Sequence, residues 1–466
     1  MTDSSQAAKT PIEMPPVPET PDIKAGRLNA EAYNENFSDL LPALDRRRAV
    51  IEADRCYFCY DAPCVEACPT GIDIPSFIHK ISTNNVKGAA TDILTANIMG
   101  GACARVCPVE ELCEDACVRN TQNSQPVKIG RLQRYAVDGL MARDDKQIFT
   151  RKASTGKKVA VVGGGPAGMS CAHRLATLGH DVVVFEAHEK AGGLNEYGIA
   201  AYKLPDDFAQ KELDYILSIG GIEIRNSQVL GDNIQLEDLR RDYDAVFLAM
   251  GLAGVNKLGL EGEDLEGVEN AVDYIAQLRQ AKDFADLPVG RKIVVIGGGN
   301  TAIDIAIQTK RLGAEDVTLV YRRGPDEMSA TWHEQDLAQE NGVLIKHWAQ
   351  PKRLIGWNGH VRQIEFEYTQ MDSNGKLMGT GDSFTLLVDT VYKAIGQYFV
   401  PSPLQDGGRD LLTITPKGKI AVNEDCQTSL DNVWAGGDCT EGQDLTVAAV
   451  EDGKRAAIAI DRALSA

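Results

Sequence analysis

No run in this sequence approaches the roughly eighteen apolar residues that a membrane-spanning helix needs, and no basic stretch followed by an apolar core opens it. Neither a membrane anchor nor a secretory leader is expected. Basic side chains are in deficit: 48 Lys and Arg stand against 67 Asp and Glu, a formal charge of −19, which argues against nucleic acid or an anionic membrane surface as a partner. The seven histidines form no metal-like clip. Cys171, Cys426 and Cys439 lie in no Cys-x-x-Cys pair, which argues against disulfide-reductase chemistry. A cytoplasmic protein with reduced thiols is the expectation. At 466 residues and 43% hydrophobic content the chain can hold several domains with ordinary cores. Residues 1–25, with Pro11, Pro15, Pro16, Pro18 and Pro21 among polar residues, read as a flexible N-terminal extension.

Thiols are abundant, and in one place. Eight of the eleven cysteines fall between residues 56 and 117, a concentration that packing alone would not produce. Cys56, Cys59, Cys64 and Cys68 are separated by two, four and three residues, and Pro69 closes the run, which is iron-sulfur ligand spacing. In two-cluster ferredoxins the cysteine before the proline serves the other cluster. By that logic Cys56, Cys59 and Cys64 hold one 4Fe-4S cluster and borrow a distant thiol, Cys113 or Cys117. Cys68 belongs to a second cluster, completed from the rest of Cys103, Cys107, Cys113 and Cys117. Paired zinc sites or a disulfide framework are the weaker readings, because zinc sites favour short Cys-x-x-Cys clips and disulfides need an oxidising compartment.

Two nucleotide motifs follow. Lys158 to Val162 reads as a strand that runs into Gly163-Gly164-Gly165-Pro166-Ala167-Gly168, with a helical stretch from Met169 to Leu178. Gly163 permits the turn, Gly165 admits a pyrophosphate to backbone amides, and Gly168 lets helix and strand pack closely. The next strand, Val182 to Phe185, ends at Glu186, eighteen residues past Gly168, where a carboxylate can accept hydrogen bonds from a ribose diol. The pattern returns at Ile293 to Ile296 and Gly297-Gly298-Gly299-Asn300-Thr301-Ala302. Here the following strand, Val317 to Tyr321, ends in Arg322-Arg323, which suits a 2′-phosphate and favours NADPH over NADH. Asp244 to Gly251 and Asp389 to Gly396 echo each other as crossing points between nested folds. Val433 to Asp438 then reads as a strand entering a glycine turn that suits the ribityl-phosphate end of a flavin. The stretch from Thr446 to Ala459 reads as a helix whose N-terminus faces that flavin.

Together these residues resemble the flavin and iron-sulfur NAD(P)H-oxidising modules of dihydropyrimidine dehydrogenase and of the glutamate synthase small subunit. The resemblance runs over nearly the whole chain after about residue 30. Asp61-Ala62-Pro63-Cys64, Gly88-Ala89-Ala90, Cys103 to Pro108 and Ile129-Gly130-Arg131-Leu132-Gln133 look most like the dihydropyrimidine dehydrogenase branch. The resemblance implies an N-terminal α-helical two-cluster 4Fe-4S domain (26–150) followed by two nested Rossmann-like α/β nucleotide-binding domains. The FAD-binding domain would comprise residues 151–251 and 397–466, and the NAD(P)H-binding domain residues 252–396.

The same resemblance distributes the ligands. It implies Cys56, Cys59, Cys64 and Cys117 on one cluster, and Cys68, Cys107, Cys113 and Gln133 on the other, with Cys103 left as a small buried thiol. It sets Gly165, Pro166, Ala167, Glu186, Gly193, Leu194, Lys203, Val229, Gly437, Asp438 and Thr446 against FAD, with Val106 as a further cofactor contact. NADPH, or NADH, would lie along Gly298, Gly299, Asn300, Thr301, Arg322, Arg323, Ala394, Ile395 and Gly396, with Ser329 where mammalian-type relatives carry a further arginine. The single-chain enzymes continue into a flavin-bearing barrel, and this sequence stops at Ala466, so the implied role is an electron-input subunit. It would pass electrons from NAD(P)H through FAD and two clusters to a partner FMN subunit that reduces uracil and thymine, in a hetero-oligomer. No acid or base in this chain is assigned to catalysis. The alternative is a glutamate synthase small subunit or another ferredoxin-linked NAD(P)H oxidoreductase.

Overall fold

The computed structural model describes residues 21–406 and 409–465. Of the extension expected over residues 1–25, residues 1–20 lie outside the described residues. Its described end is ordered: Ile23–Lys24 pairs antiparallel with Val289–Gly290, held by Arg27 Nε donating to Val289 O at 2.9 Å. Residues 23 and 24 of that stretch are thus a paired strand, because a backbone ladder and a nearly buried guanidinium anchor them.

Short capped helices build the cysteine-rich region. Arg46–Ala53, Ile74–Ser82 and Val86–Ala96 each begin at a side chain, Asp45, Asp73 or Asn85, that accepts a first-turn backbone N–H. Their inner faces bury Phe77, Ile78, Ile81, Ile93 and Leu94 against Leu132, Ala136 and Leu140 of Ile129–Met141. Most of the clustered cysteines sit in the loops and short turns between these helices, where the chain can bend around a ligand.

Two five-stranded parallel sheets follow the same plan. In the first, Lys158–Val162 is central, with Asp181–Phe185 and Ile222–Arg225 on one side and Ala245–Leu248 and Val433–Ala435 on the other. In the second, Lys292–Gly297 is central, flanked by Asp316–Val320 and Leu344–Lys346 on one side and Thr390–Ala394 and Val268–Asn270 on the other. Val159, Val161, Val295 and Leu319 are fully buried, as strands covered on both faces must be. The chain passes between the sheets twice, and Gly254–Val255 and Gln397–Tyr398 pair antiparallel as a two-stranded ribbon.

Three departures from the expected elements have local causes. The helix read from Met169 begins at Pro166, whose fixed φ suits a first helical residue. The last helix, Thr446–Ser465, runs past Ala459 and packs on Pro166–Leu178, so closely that a Cβ on Gly453 would lie 2.1 Å from the Ala167 carbonyl oxygen. An antiparallel sheet of Ala349–Trp357, His360–Met371 and Leu377–Leu387 interrupts the second nucleotide fold. Its signal was Asn358-Gly359, both at positive φ (52° and 84°), the backbone a two-residue hairpin turn demands.

Candidate functional site

The first glycine turn is shaped by close approach. A Cβ on Gly163 would strike the Ala249 carbonyl oxygen, and one on Gly168 the Gly163 carbonyl oxygen, so strand and helix meet only without side chains. Gly165 meets nothing nearer than Gly193 Cα at 3.6 Å, and it leads into the N-terminus of the Pro166–Leu178 helix, the cradle a pyrophosphate needs. Gly193 lies against Gly165 and Pro166, Gly437 against Ala167, and the Thr446 hydroxyl donates to Asn195 Oδ1 at 3.2 Å beside Leu194. The predicted FAD residues from three distant stretches thus converge on one turn. Val229 adjoins them, since Gln228 N donates to Glu186 O at 2.8 Å. Burial lifts the Asp438 carboxyl to about 6, and Asp444 adds to the lift.

Glu186 holds the first glycine turn in place. Its carboxylate accepts from Gly164 N at 2.8 Å, His188 N at 2.8 Å and His188 Nδ1 at 2.9 Å, which ties the glycine turn to the end of the second strand. Burial alone would raise its pKa, but the hydrogen bonds from His188 and Gly164 outweigh it and hold the carboxyl below its ordinary value.

The second turn repeats the geometry: a Cβ on Gly297 would strike the Ala394 carbonyl oxygen, and Gly298 leaves room for the Tyr321 ring. Ala330 N donates to Gly298 O at 2.9 Å, and the Ser329 hydroxyl lies 3.2 Å from where a Gly299 Cβ would be. Ile395 and Gly396 are tied to Asn256, whose Nδ2 donates to both carbonyls at 3.2 and 3.1 Å. Arg322 is exposed, Arg323 Nε is buried without a hydrogen-bond partner, and among the described residues no carboxylate pairs with either guanidinium. Two uncommitted cations at the strand end can take a 2′-phosphate.

Lys203 is placed differently. Its Nζ lies 2.7 Å from both Asp304 Oδ1 and Glu334 Oε1, carboxylates of the second nucleotide fold, so its charge joins the two folds. Burial works against the ammonium, but Asp304 and Glu334 raise its pKa overall. Val106 ends the Gly100–Val106 helix and packs with Leu204 and Phe208 at the border of the cysteine-rich region and the first nucleotide fold.

Cys56, Cys59, Cys64 and Cys117 line one cavity, walled by Ile74, Ile78, Val127 and Ile129. Phe58, at φ 52°, turns its N–H toward Cys56 Sγ at 3.4 Å. Burial pushes the Cys64 thiol up to about 12, and Cys117 and Cys56 add to the shift. Cys107 is raised well above its ordinary value by a hydrogen bond with Cys103 and by burial, with Cys113 and Cys68 contributing. Positive charge held among such thiols, as iron would supply, would offset this and favour their thiolate forms. Among the described residues no three His, Cys, Asp or Glu side chains form a group suited to a single ion. A ring of four thiols around a cavity suits the larger body of a 4Fe-4S cluster. Gln133 is buried, its Nε2 donates to Gly100 O at 2.7 Å, and its Oε1 makes no hydrogen bond among the described residues.

Asn195, Asn256, Asp304 and Glu334 carried no motif and were not anticipated. Each acts on residues far away in sequence, so no local pattern marks them. Cys171, Cys426 and Cys439 are buried and unpaired. No described helix is long and apolar enough to cross a membrane.

Residues 157–453 match the pyridine nucleotide-disulphide oxidoreductase family, and residues 33–145 match the dihydropyrimidine dehydrogenase domain II, 4Fe-4S cluster family. The chain is 35% identical over 428 residues to an NAD-dependent dihydropyrimidine dehydrogenase subunit PreT of Escherichia coli, spanning 91% of this chain and 97% of that one. It is 33% identical over 440 residues to the NADPH glutamate synthase small chain of Escherichia coli, spanning 90% and 92%. Among solved structures, FprA of Mycobacterium tuberculosis in complex with NADPH superposes with a TM-score of 0.55 at 21% identity, over 66% of this chain and 85% of that one. Thioredoxin reductase of T. acidophilum superposes with a TM-score of 0.53 at 21% identity, over 66% and 100%, which is a likeness of fold.

Proposed function

We propose, from the premise that this chain belongs to the pyridine nucleotide-disulphide oxidoreductase family and is an NAD(P)H-dependent flavin and iron-sulfur oxidoreductase, that it is the electron-input subunit of a dihydropyrimidine dehydrogenase. The observation that carries this reading is the likeness to a dihydropyrimidine dehydrogenase subunit over 97% of that protein's length. Bound FAD accepts electrons as a hydride pair and releases them singly, which matches a nicotinamide donor to iron-sulfur acceptors.

This chain's own residues bind and orient. Gly163 to Gly168 and the Pro166–Leu178 helix N-terminus take the FAD pyrophosphate, Glu186 holds the turn and meets the ribose, and Gly437, Asp438 and Thr446 close the site from the far end of the chain. Gly298 to Thr301 take the second pyrophosphate, and Arg322 and Arg323 select the 2′-phosphate of NADPH. Cys56, Cys59, Cys64 and Cys117 hold one cluster, and Cys68, Cys107, Cys113 and Gln133 the second. A partner FMN subunit in the cytoplasm receives the electrons and reduces uracil or thymine.

A second reading, a glutamate synthase small chain, draws on the 33% identity over 92% of that relative. One experiment separates the two. The tagged chain is purified with the native partner it retains, and NADPH absorbance is followed before and after uracil is added. Uracil-dependent oxidation is expected. Oxidation that responds to glutamine plus 2-oxoglutarate, and not to uracil, replaces the first reading with the second.

A further inference from the structure

The start of the Gly100–Val106 helix is where the cysteine-rich region meets the first nucleotide fold, and one acidic side chain holds it. Glu212, on the Phe208–Leu217 helix, is 2% exposed, and its Oε1 accepts from Gly101 N at 2.8 Å and Ala102 N at 3.1 Å. The approach is tight: a Cβ on Gly101 would lie 2.5 Å from Phe208 Cζ and 2.8 Å from Glu212 Oε1. The carbonyl of the preceding residue, Gly100, is the acceptor for Gln133 Nε2 at 2.7 Å. Arg105 of the same helix lies over the Phe208 ring at 3.6 Å and pairs with Asp138, on the helix that carries Gln133, at 2.8 Å. On the flavin side, Asn195 Nδ2 lies 3.8 Å from Met99 Sδ, while its Oδ1 accepts from Thr446.

The terminal torsion of a glutamine is soft, so the direction of its carbonyl oxygen is set by what its amide nitrogen binds. That nitrogen is bound to Gly100 O, and the peptides that follow Gly100 are bound to Glu212. We propose that Glu212 is a positioning residue for Gln133: by fixing the Gly100–Ala102 backbone from the flavin domain, it aims the Gln133 amide oxygen as a ligand of the second cluster. The proposal rests on the reading of Gln133 as a ligand. Partners of this kind commonly decide how a ligand meets its metal.

The test uses the full chain, loaded anaerobically and reduced, with iron and flavin content and the electron paramagnetic resonance of both clusters as readouts. In E212L, which keeps the volume but removes the acceptor, iron and flavin content are expected to hold while one of the two cluster signals shifts. Q133C should shift that same signal. In the Q133C background, E212L should add no further shift, because a thiolate ligand does not depend on the Gly100 carbonyl. An E212L signal identical to the parent, alongside a shifted Q133C, overturns the positioning role and leaves the ligand intact. An equal E212L shift in both backgrounds assigns Glu212 to helix packing and also overturns it. If Q133C leaves both signals unchanged, the ligand reading itself falls, and the proposal with it. Should E212L not accumulate, E212D, which withdraws the carboxylate by one methylene, is read by the same criteria.

Discussion

Gly163 and Gly297 are counterparts in the two nucleotide folds: a Cβ on either would lie 2.2 Å from a carbonyl oxygen of the neighbouring strand's end, Ala249 for the first and Ala394 for the second. Neither position tolerates a methyl group without backbone movement. Gly165 has space for one in the protein itself.

Gly163→Ala should therefore destabilise the fold by about 1–3 kcal/mol, the usual range for forced overpacking. Gly165→Ala should keep the thermal stability of the flavin-free protein but lose FAD, since the methyl occupies the approach to the pyrophosphate. Thermal unfolding and flavin absorbance after desalting separate the two effects. A Gly165→Ala protein that retains its flavin would reject Gly165 as the point of approach.

Arg322→Glu should lower kcat/KM for NADPH by about 1–3 kcal/mol of transition-state binding and affect NADH less, because only NADPH brings a 2′-phosphate to the strand end. Steady-state kinetics with both nucleotides read this directly. Equal losses would remove the phosphate from the explanation.

Lys203 joins Asp304 and Glu334 in a buried cluster, and Lys203→Met would leave two carboxylates without their cation. A loss of about 3–5 kcal/mol in denaturant unfolding is expected, with partial recovery when Asp304→Asn is added. If the double variant is no more stable than the single one, the ion pair is not what Lys203 contributes.

The Glu186–His188 pair predicts a pH window. The hydrogen bond that His188 Nδ1 donates to Glu186 raises the His188 pKa, so its contribution is complete below the ordinary histidine value and disappears as pH rises through the raised one. Glu186 is held below its ordinary value, so its contribution is complete above the usual carboxylate range and lost as pH falls through the lowered one. The stability difference between the parent and His188→Ala should thus peak between these limits, at about pH 5–6. Thermal unfolding of both proteins across pH measures it, and a difference independent of pH would show that the pair is not coupled.

What was legible in the sequence was local. The cysteine spacing, the two glycine turns, and Glu186 against Arg322-Arg323 at equivalent strand ends all rest on residues close together along the chain, where geometry follows from a few consecutive φ and ψ values, and the fold class followed from the resemblance those motifs carry. Cys spacing alone left Cys113 and Cys117 open as the distant thiol of the first set, and the tertiary structure places Cys117 on the cavity with Cys56, Cys59 and Cys64. Lys203 shows the limit from the other side. The resemblance implied a flavin contact for it, but nothing local announced that its ammonium lies between Asp304 and Glu334, because no local pattern encodes which distant helices will face a given side chain. Asn256 on the Gly396 loop and Glu212 on Gly101 and Ala102 are of the same kind. Local backbone chemistry wrote the motifs into the sequence, but packing between folds chose their partners, because burial and hydrogen bonding act through space.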